Sequence, residues 1–180
     1  MTWRYLVALG SNVRHARFGP PEAVVRAALA GLDRAGLALL AAAPIARSRP
    51  LGPSRRRYAN TTALIASDLL PPQMLERLQA IEHGFGRRRR GQRWSARVLD
   101  LDVVLWSGGP WRDPVLTIPH PRFRERRFVL APAARIAPTW RDPITHLTLR
   151  QLAARLTRPR PLPIAPRGRA LSSVGRATDF

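Results

Sequence analysis

The segment Arg93–Asp102 reads R-W-S-A-R-V-L-D-L-D and runs straight into the apolar stretch Val103–Trp106. Asp100 and Asp102 alternate with Leu in a run otherwise made of Val and Leu, which is a strand pattern. A strand sends every second side chain to the same face. The two carboxylates therefore share a face, roughly 6–7 Å apart along the strand. Neighbouring carboxylates repel, and burying them is costly without positive charge nearby. Arg93 and Arg97 stand just before them. Such a strand, expected at the centre of a sheet, suits Mg²⁺ and polyphosphate: the hard cation takes the carboxylate oxygens and the guanidiniums take the phosphates. Taken alone, the Asp-x-Asp pattern is equally compatible with a solvated strand edge and its salt bridges.

At 180 residues the chain is long enough for one domain with a real core and a tail. It has no cysteine, so disulfides and thiolate metal sites are excluded. No signal-peptide pattern and no apolar run of membrane-spanning length is present, and a soluble cytoplasmic protein is expected. The net charge of +20 raises nucleic-acid binding as an alternative. All 31 basic residues are Arg, however, and they are dispersed apart from Arg55–Arg57 and Arg87–Arg90. Aromatic residues interleaved for base stacking are few. A polyanionic small-molecule substrate would use the same charge.

Residues 3–9 read as a core strand ended by the turn Gly10-Ser11-Asn12. Pro20 and Pro21 open a helix with Val24, Val25, Ala28, Leu29 and Leu32 on one face, and Gly36 stops it. Residues 37–47 could form a second strand. Arg49–Pro53 must be a loop, because two prolines and a glycine cannot continue a ladder. Tyr58–Ser67 reads as a third strand, Leu69–Glu82 as a helix, and Leu99–Trp106 as a fourth strand. Val115–Ile118 is short and strand-like, Arg126–Ala134 a helix start or ordered turn, and Leu147–Leu156 a last short helix. The βαββαβ order predicts an α+β, ferredoxin-like core: a central antiparallel sheet with helices packed on it. The domain is expected over 1–157. Residues 158–180 are Pro/Arg-rich with few core residues, and read as a disordered tail, with a basic interaction arm as the alternative.

Four motifs resemble those of the 6-hydroxymethyl-7,8-dihydropterin pyrophosphokinases. They are A-L-G-S-N at Ala8–Asn12, R-S-R-P-L-G-P…Y-A-N at Arg47–Asn60, Q-A-I-E…G-R-R-R…R-W-S-A-R-V-L-D-L-D at Gln79–Asp102, and I-P-H-P-R-F-R-E-R-R-F-V-L-A-P at Ile118–Pro132. Each alone is weak; all four in family order and spacing, covering about Tyr5 to Leu156, are specific. The resemblance implies an ATP-dependent diphosphotransferase of folate biosynthesis, moving the β,γ-diphosphate of ATP to the pterin hydroxymethyl group with release of AMP. In-line transfer needs positioning and charge neutralisation more than covalent chemistry.

Carried over by motif, Asp100 and Asp102 are implied ligands of two Mg²⁺ ions. Arg97 matches the arginine that reaches phosphate, and Arg87 and Arg89 match arginines at the start of a mobile loop over 84–97. Trp94 matches the tryptophan that closes over the site. Read without the motif, Arg87–Arg90 is a solvated charge run. Gln79, His120 and Arg126 match nucleotide-contacting positions. Tyr58 and Phe128 match the aromatic pair that sandwiches the pterin, a stacking worth about 0.5–1.5 kcal/mol beyond burial. Phe128 taken alone would be a core residue. Asn60 matches the side chain that reads the pterin amide edge with donor and acceptor. Ser48 and Leu51 match loop positions whose main chain contacts the pterin. Gly10 permits close approach of strand and ring, or serves only the turn. His15, His83 and His146 belong to no constellation. The expected partners are ATP and the pterin, with no specific nucleic acid and no membrane, and the expected state is a monomer.

The pattern departs from the family at Ser95, where Gly or Ala is usual, at Ser48, where Thr is common, and at Arg135, where Glu is frequent. Gln92-Arg93 lacks an acidic residue sometimes found there. None of these removes an implied metal ligand or pterin contact. A bifunctional folate enzyme is a third possibility; 180 residues leave no room for a second catalytic domain, so this chain is expected to be only the kinase part of one.

Overall fold

A computed structural model of the chain describes residues 1–48, 58–86 and 98–158. Five residues implied in the site, Leu51, Arg87, Arg89, Trp94 and Arg97, lie outside the described residues, as does the tail from 159 onward.

The elements run β1 (Trp3–Ser11), α1 (Pro21–Arg34), β2 (Ala38–Ala42), β3 (Ala46–Ser48), β4 (Tyr58–Ser67), α2 (Pro71–Gly84), β5 (Asp100–Trp106), β6 (Trp111–Arg112), β7 (Thr117–Ile118), a 3₁₀ turn (Phe123–Glu125), α3 (Arg127–Ile136) and α4 (Leu149–Thr157). The main sheet is ordered β2-β4-β1-β5, every pairing is antiparallel, and β3 adds to β4. With α1 and α2 as the connecting helices, this is the strand order of the predicted ferredoxin-like core. The stretch 37–47 splits into two short strands, because Pro44 has no amide to donate to a ladder. Helix α1 ends as expected: Gly36 takes φ +76°, and the amides of Gly36 and Leu37 return to Asp33 and Leu32.

Among the described residues, strand β5 lies at the sheet edge, not at its centre. Its Val/Leu run resembles a central strand because apolar groups cover both of its faces. Tyr5, Val7, Leu9, Leu101 and Val103 join Val24, Val25, Ala28 and Leu32 of α1 and Met74 and Leu78 of α2 in one core. Fully burying each Val or Leu side chain contributes about 1.5–3 kcal/mol. On the opposite face, Leu6, Val104 and Leu105 pack with Val129, Leu130 and Ala133 of α3 and Leu149 and Leu152 of α4. Val104 and Leu105 reach the same core because the β1–β5 register slips between Leu6 and Val7, inserting one extra residue in β5.

Helix α4 is capped by Thr148, whose hydroxyl accepts from the Gln151 amide at 3.2 Å, while Gln151 Oε1 accepts from the Thr148 amide at 2.9 Å. The hairpin before it is held by Asp142. This fully buried carboxylate accepts from Arg124 Nε at 2.8 Å, from Arg124 Nη2 at 2.6 Å and from the Thr145 hydroxyl at 2.5 Å.

Candidate active site

Residues directly opposite in an antiparallel ladder project to the same face. Tyr58 stands opposite Ser48. One step along, Gly10 is paired with Asn60 on one side and Asp100 on the other. Next, Ala8 is paired with Thr62 and Asp102. The following row, Leu64, Leu6 and Leu105, belongs to the apolar half under α3 and α4. One sheet face is thus polar at one end and apolar at the other. At neighbouring-strand spacings of about 4.8 Å, the backbones of Asn60 and Asp100 stand roughly 10 Å apart, with Gly10 between them.

Asn60 is buried, and its Nδ2 donates to Ser48 Oγ at 2.6 Å. That bond fixes the carboxamide plane and commits one of its donors. The Ser48 hydroxyl is therefore used as an acceptor. Gly10 stands within β1, paired on both sides, and not in the expected turn; its reason is close approach, since a Cβ there would come within 3.0 Å of Asn60 Oδ1. Tyr58 and Phe128 are both half-buried, which leaves part of each ring accessible.

The aspartates meet the segment that follows β7. The His120 amide donates to the Val104 carbonyl at 3.0 Å, tying that segment to β5. His120 Nδ1 accepts from the Arg122 amide at 3.2 Å, so the neutral ring carries its proton on Nε2. Nε2 lies 4.0 Å from Asp102 Oδ2. Arg126 Nη1 lies 3.7 Å from the same oxygen, and its guanidinium carbon is 5.9 Å from the centre of the Phe128 ring. Burial, helped by the charge of Arg126, pushes the His120 pKa down to about 4 even though Asp100 pulls it up. At neutral pH, His120 is therefore a neutral N–H donor beside Asp102 rather than half of an ion pair.

The structure thus brings together Gly10, Ser48, Tyr58, Asn60, Asp100, Asp102, His120, Arg126 and Phe128 on or over one face. Gln79 is half-buried on α2, the helix that packs against β5. Among the described residues, no group of three or more His, Cys, Asp or Glu side chains is placed to hold a metal ion. Two half-exposed carboxylates on one face remain a fitting donor set for Mg²⁺, which binds through one or two carboxylates and completes its shell with water and substrate phosphates.

Comparison with known proteins decides the family. The model of the 7,8-dihydro-6-hydroxymethylpterin-pyrophosphokinase family matches residues 6–138. The chain belongs to this family. A 2-amino-4-hydroxy-6-hydroxymethyldihydropteridine pyrophosphokinase of Synechocystis is 37% identical over 162 residues, covering 89% of this chain and 80% of that protein. One from Pseudomonas aeruginosa is 39% identical over 145 residues, covering 79% and 86%. A crystal structure of Plasmodium falciparum HPPK-DHPS with pteroate shares the fold at a TM-score of 0.64 and 11% identity, covering 86% of this chain but only 42% of that one. As a pyrophosphokinase of this family, the chain is an ATP-dependent diphosphotransferase of folate biosynthesis. Among the described residues, no helix is long and apolar enough to cross a membrane.

Two residues outside the sequence-based site bear on this sheet face. Glu82 is only 2% exposed, and its Oε1 accepts from the Leu101 amide, between the aspartates, at 2.7 Å. A sequence signal existed: Glu82 falls on the buried stripe Met74, Leu78, Glu82, where an acid is out of place without a partner. Thr62 is fully buried beside Asn60, and among the described residues its hydroxyl has no hydrogen-bond partner. Nothing in the sequence marked it.

Proposed function

We propose that the chain transfers the β,γ-diphosphate of ATP to 6-hydroxymethyl-7,8-dihydropterin on the polar half of this sheet face. The hydroxymethyl oxygen attacks the β-phosphorus and gives up its proton to solvent, the bond from that phosphorus to the α-phosphate bridging oxygen breaks, and AMP leaves with that oxygen. The supporting observation is the register that sets Asn60, Gly10 and Asp100 in one row, with Asp102 in the next under His120 and Arg126. Asn60 would read the pterin edge, held in plane by Ser48, with Tyr58 and Phe128 stacking on the ring. Two Mg²⁺ held by Asp100 and Asp102 would supply charge neutralisation to the triphosphate. His120, as a neutral donor, and Arg126, as a permanent cation, would hold phosphate oxygens. Gln79 would contact the nucleotide from α2. The roles of Leu51, Arg87, Arg89, Trp94 and Arg97 rest on motif resemblance. The catalytic unit is 1–157, a cytoplasmic monomer, and the tail 158–180 takes no part.

The decisive experiment follows AMP release from ATP and Mg²⁺, with and without the pterin, for wild type and Asp102→Ala. Pterin-dependent AMP release that Asp102→Ala abolishes supports the reading. Normal turnover in the variant would sink the metal-ligand assignment.

A further inference from the structure

We propose that Glu82 is a positioning residue for the aspartate pair, holding the backbone between Asp100 and Asp102 from helix α2. The inference rests on the reading of those aspartates as metal ligands. In an antiparallel ladder, successive residues turn their N–H and C=O groups to opposite sides of the strand. Among the described residues, strand β5 pairs with β1 on one side only. The Leu101 amide donates to the Glu82 carboxylate on α2, which assigns it to the outer side. Asp100 and Asp102 then turn their backbone groups inward, to Gly10 and Ala8.

The outer amide cannot rely on water, since Leu101 is only 4% exposed. An unpaired buried N–H is costly, and the Glu82 carboxylate satisfies it with a charge-assisted bond of 2.7 Å. Further along, the Val104 carbonyl accepts from the His120 amide. The two ties bracket Asp102. One comes from the helix that carries Gln79, the other from the residue whose imidazole faces Asp102. Partners that orient metal ligands typically change metal affinity about 10–100-fold when removed.

Two conservative variants separate positioning from charge. Glu82→Gln keeps the reach and an acceptor oxygen but removes the charge. Glu82→Asp keeps the charge but shortens the reach by one methylene. Mn²⁺ affinity is read by paramagnetic resonance in the presence of a non-hydrolysable ATP analogue, alongside pterin KM and kcat. Positioning predicts that Glu82→Gln stays within about threefold of wild type while Glu82→Asp loses about tenfold or more in Mn²⁺ affinity. Pterin KM should change little in either. Loss in Glu82→Gln with retention in Glu82→Asp, or equal behaviour of the two, overturns the proposal. Asp102→Asn is the control for the underlying reading. If it keeps wild-type Mn²⁺ affinity, the metal-ligand assignment itself fails, whatever the Glu82 variants do.

Discussion

Arg124 and Asp142 form a two-point ion pair, Nε and Nη2 donating to the two carboxylate oxygens at 2.8 and 2.6 Å. The pair fastens the 3₁₀ turn between His120 and Arg126 to the hairpin that precedes α4. Its anchor is Asp142, whose side chain is fully buried. Burial pushes the Asp142 pKa up, but the Arg124 bond, the Thr145 hydroxyl and the Ile144 amide outweigh it, and the net shift is downward.

A carboxylate with a depressed folded pKa contributes stability above its unfolded value near 3.9, and that stability is lost as pH falls through the folded value. Asp142→Ala should destabilise the domain at neutral pH by about 3 kcal/mol, since it leaves an arginine without its buried partner. Urea unfolding at pH 7 and at stepped lower pH checks both points. The difference between wild type and variant should shrink only below about pH 4. A constant difference across that range would contradict the assignment.

His120 should titrate near pH 4 in the nucleotide-free protein. Because the folded ring resists a proton that the unfolded chain accepts below about 6.5, stability should fall as pH drops from about 6.5 to about 4. The ring proton resonances, followed by NMR, report this directly. Arg126→Gln should raise the midpoint while burial still keeps it below 6.5. A midpoint near 6.5 in wild type would show that the ring is hydrated and not packed.

Gly10→Ala should weaken pterin binding more than it slows turnover. The added methyl would crowd Asn60 Oδ1 at 3.0 Å and turn the carboxamide away from Ser48. Losing one such bond costs about 1 kcal/mol, or about fivefold in pterin affinity. Calorimetric titration with the pterin measures it. Unchanged affinity would mean that Asn60 gives way without consequence.

Thr62→Val keeps the shape and removes a buried hydroxyl that has no partner among the described residues. The variant should be as stable as wild type or more stable, by up to about 1 kcal/mol, because a desolvation penalty disappears. A clear fall in thermal midpoint would show that the hydroxyl is satisfied in solution.

The sequence by itself determined the long local elements and the pairing of the acids, but not the short strands β3 and β6. Tyr58–Ser67 is a strand over its full expected length, and Leu99–Trp106 differs from β5 by one residue. Alternation in a strand is a property of covalent geometry, so the shared face of Asp100 and Asp102 follows from their spacing alone. The edge position of β5 did not follow, because helices cover both faces of an edge strand as they would a central one. Tertiary structure also decided which residues join the acids. Only register places Asn60 and Asp100 on either side of Gly10, and register is set by contacts between segments distant in the chain. The extra residue in β5, the inward turn of Glu82 and the approach of His120 to Asp102 depend on which groups packing leaves without water. That is a property of the assembled core, which no window of sequence contains.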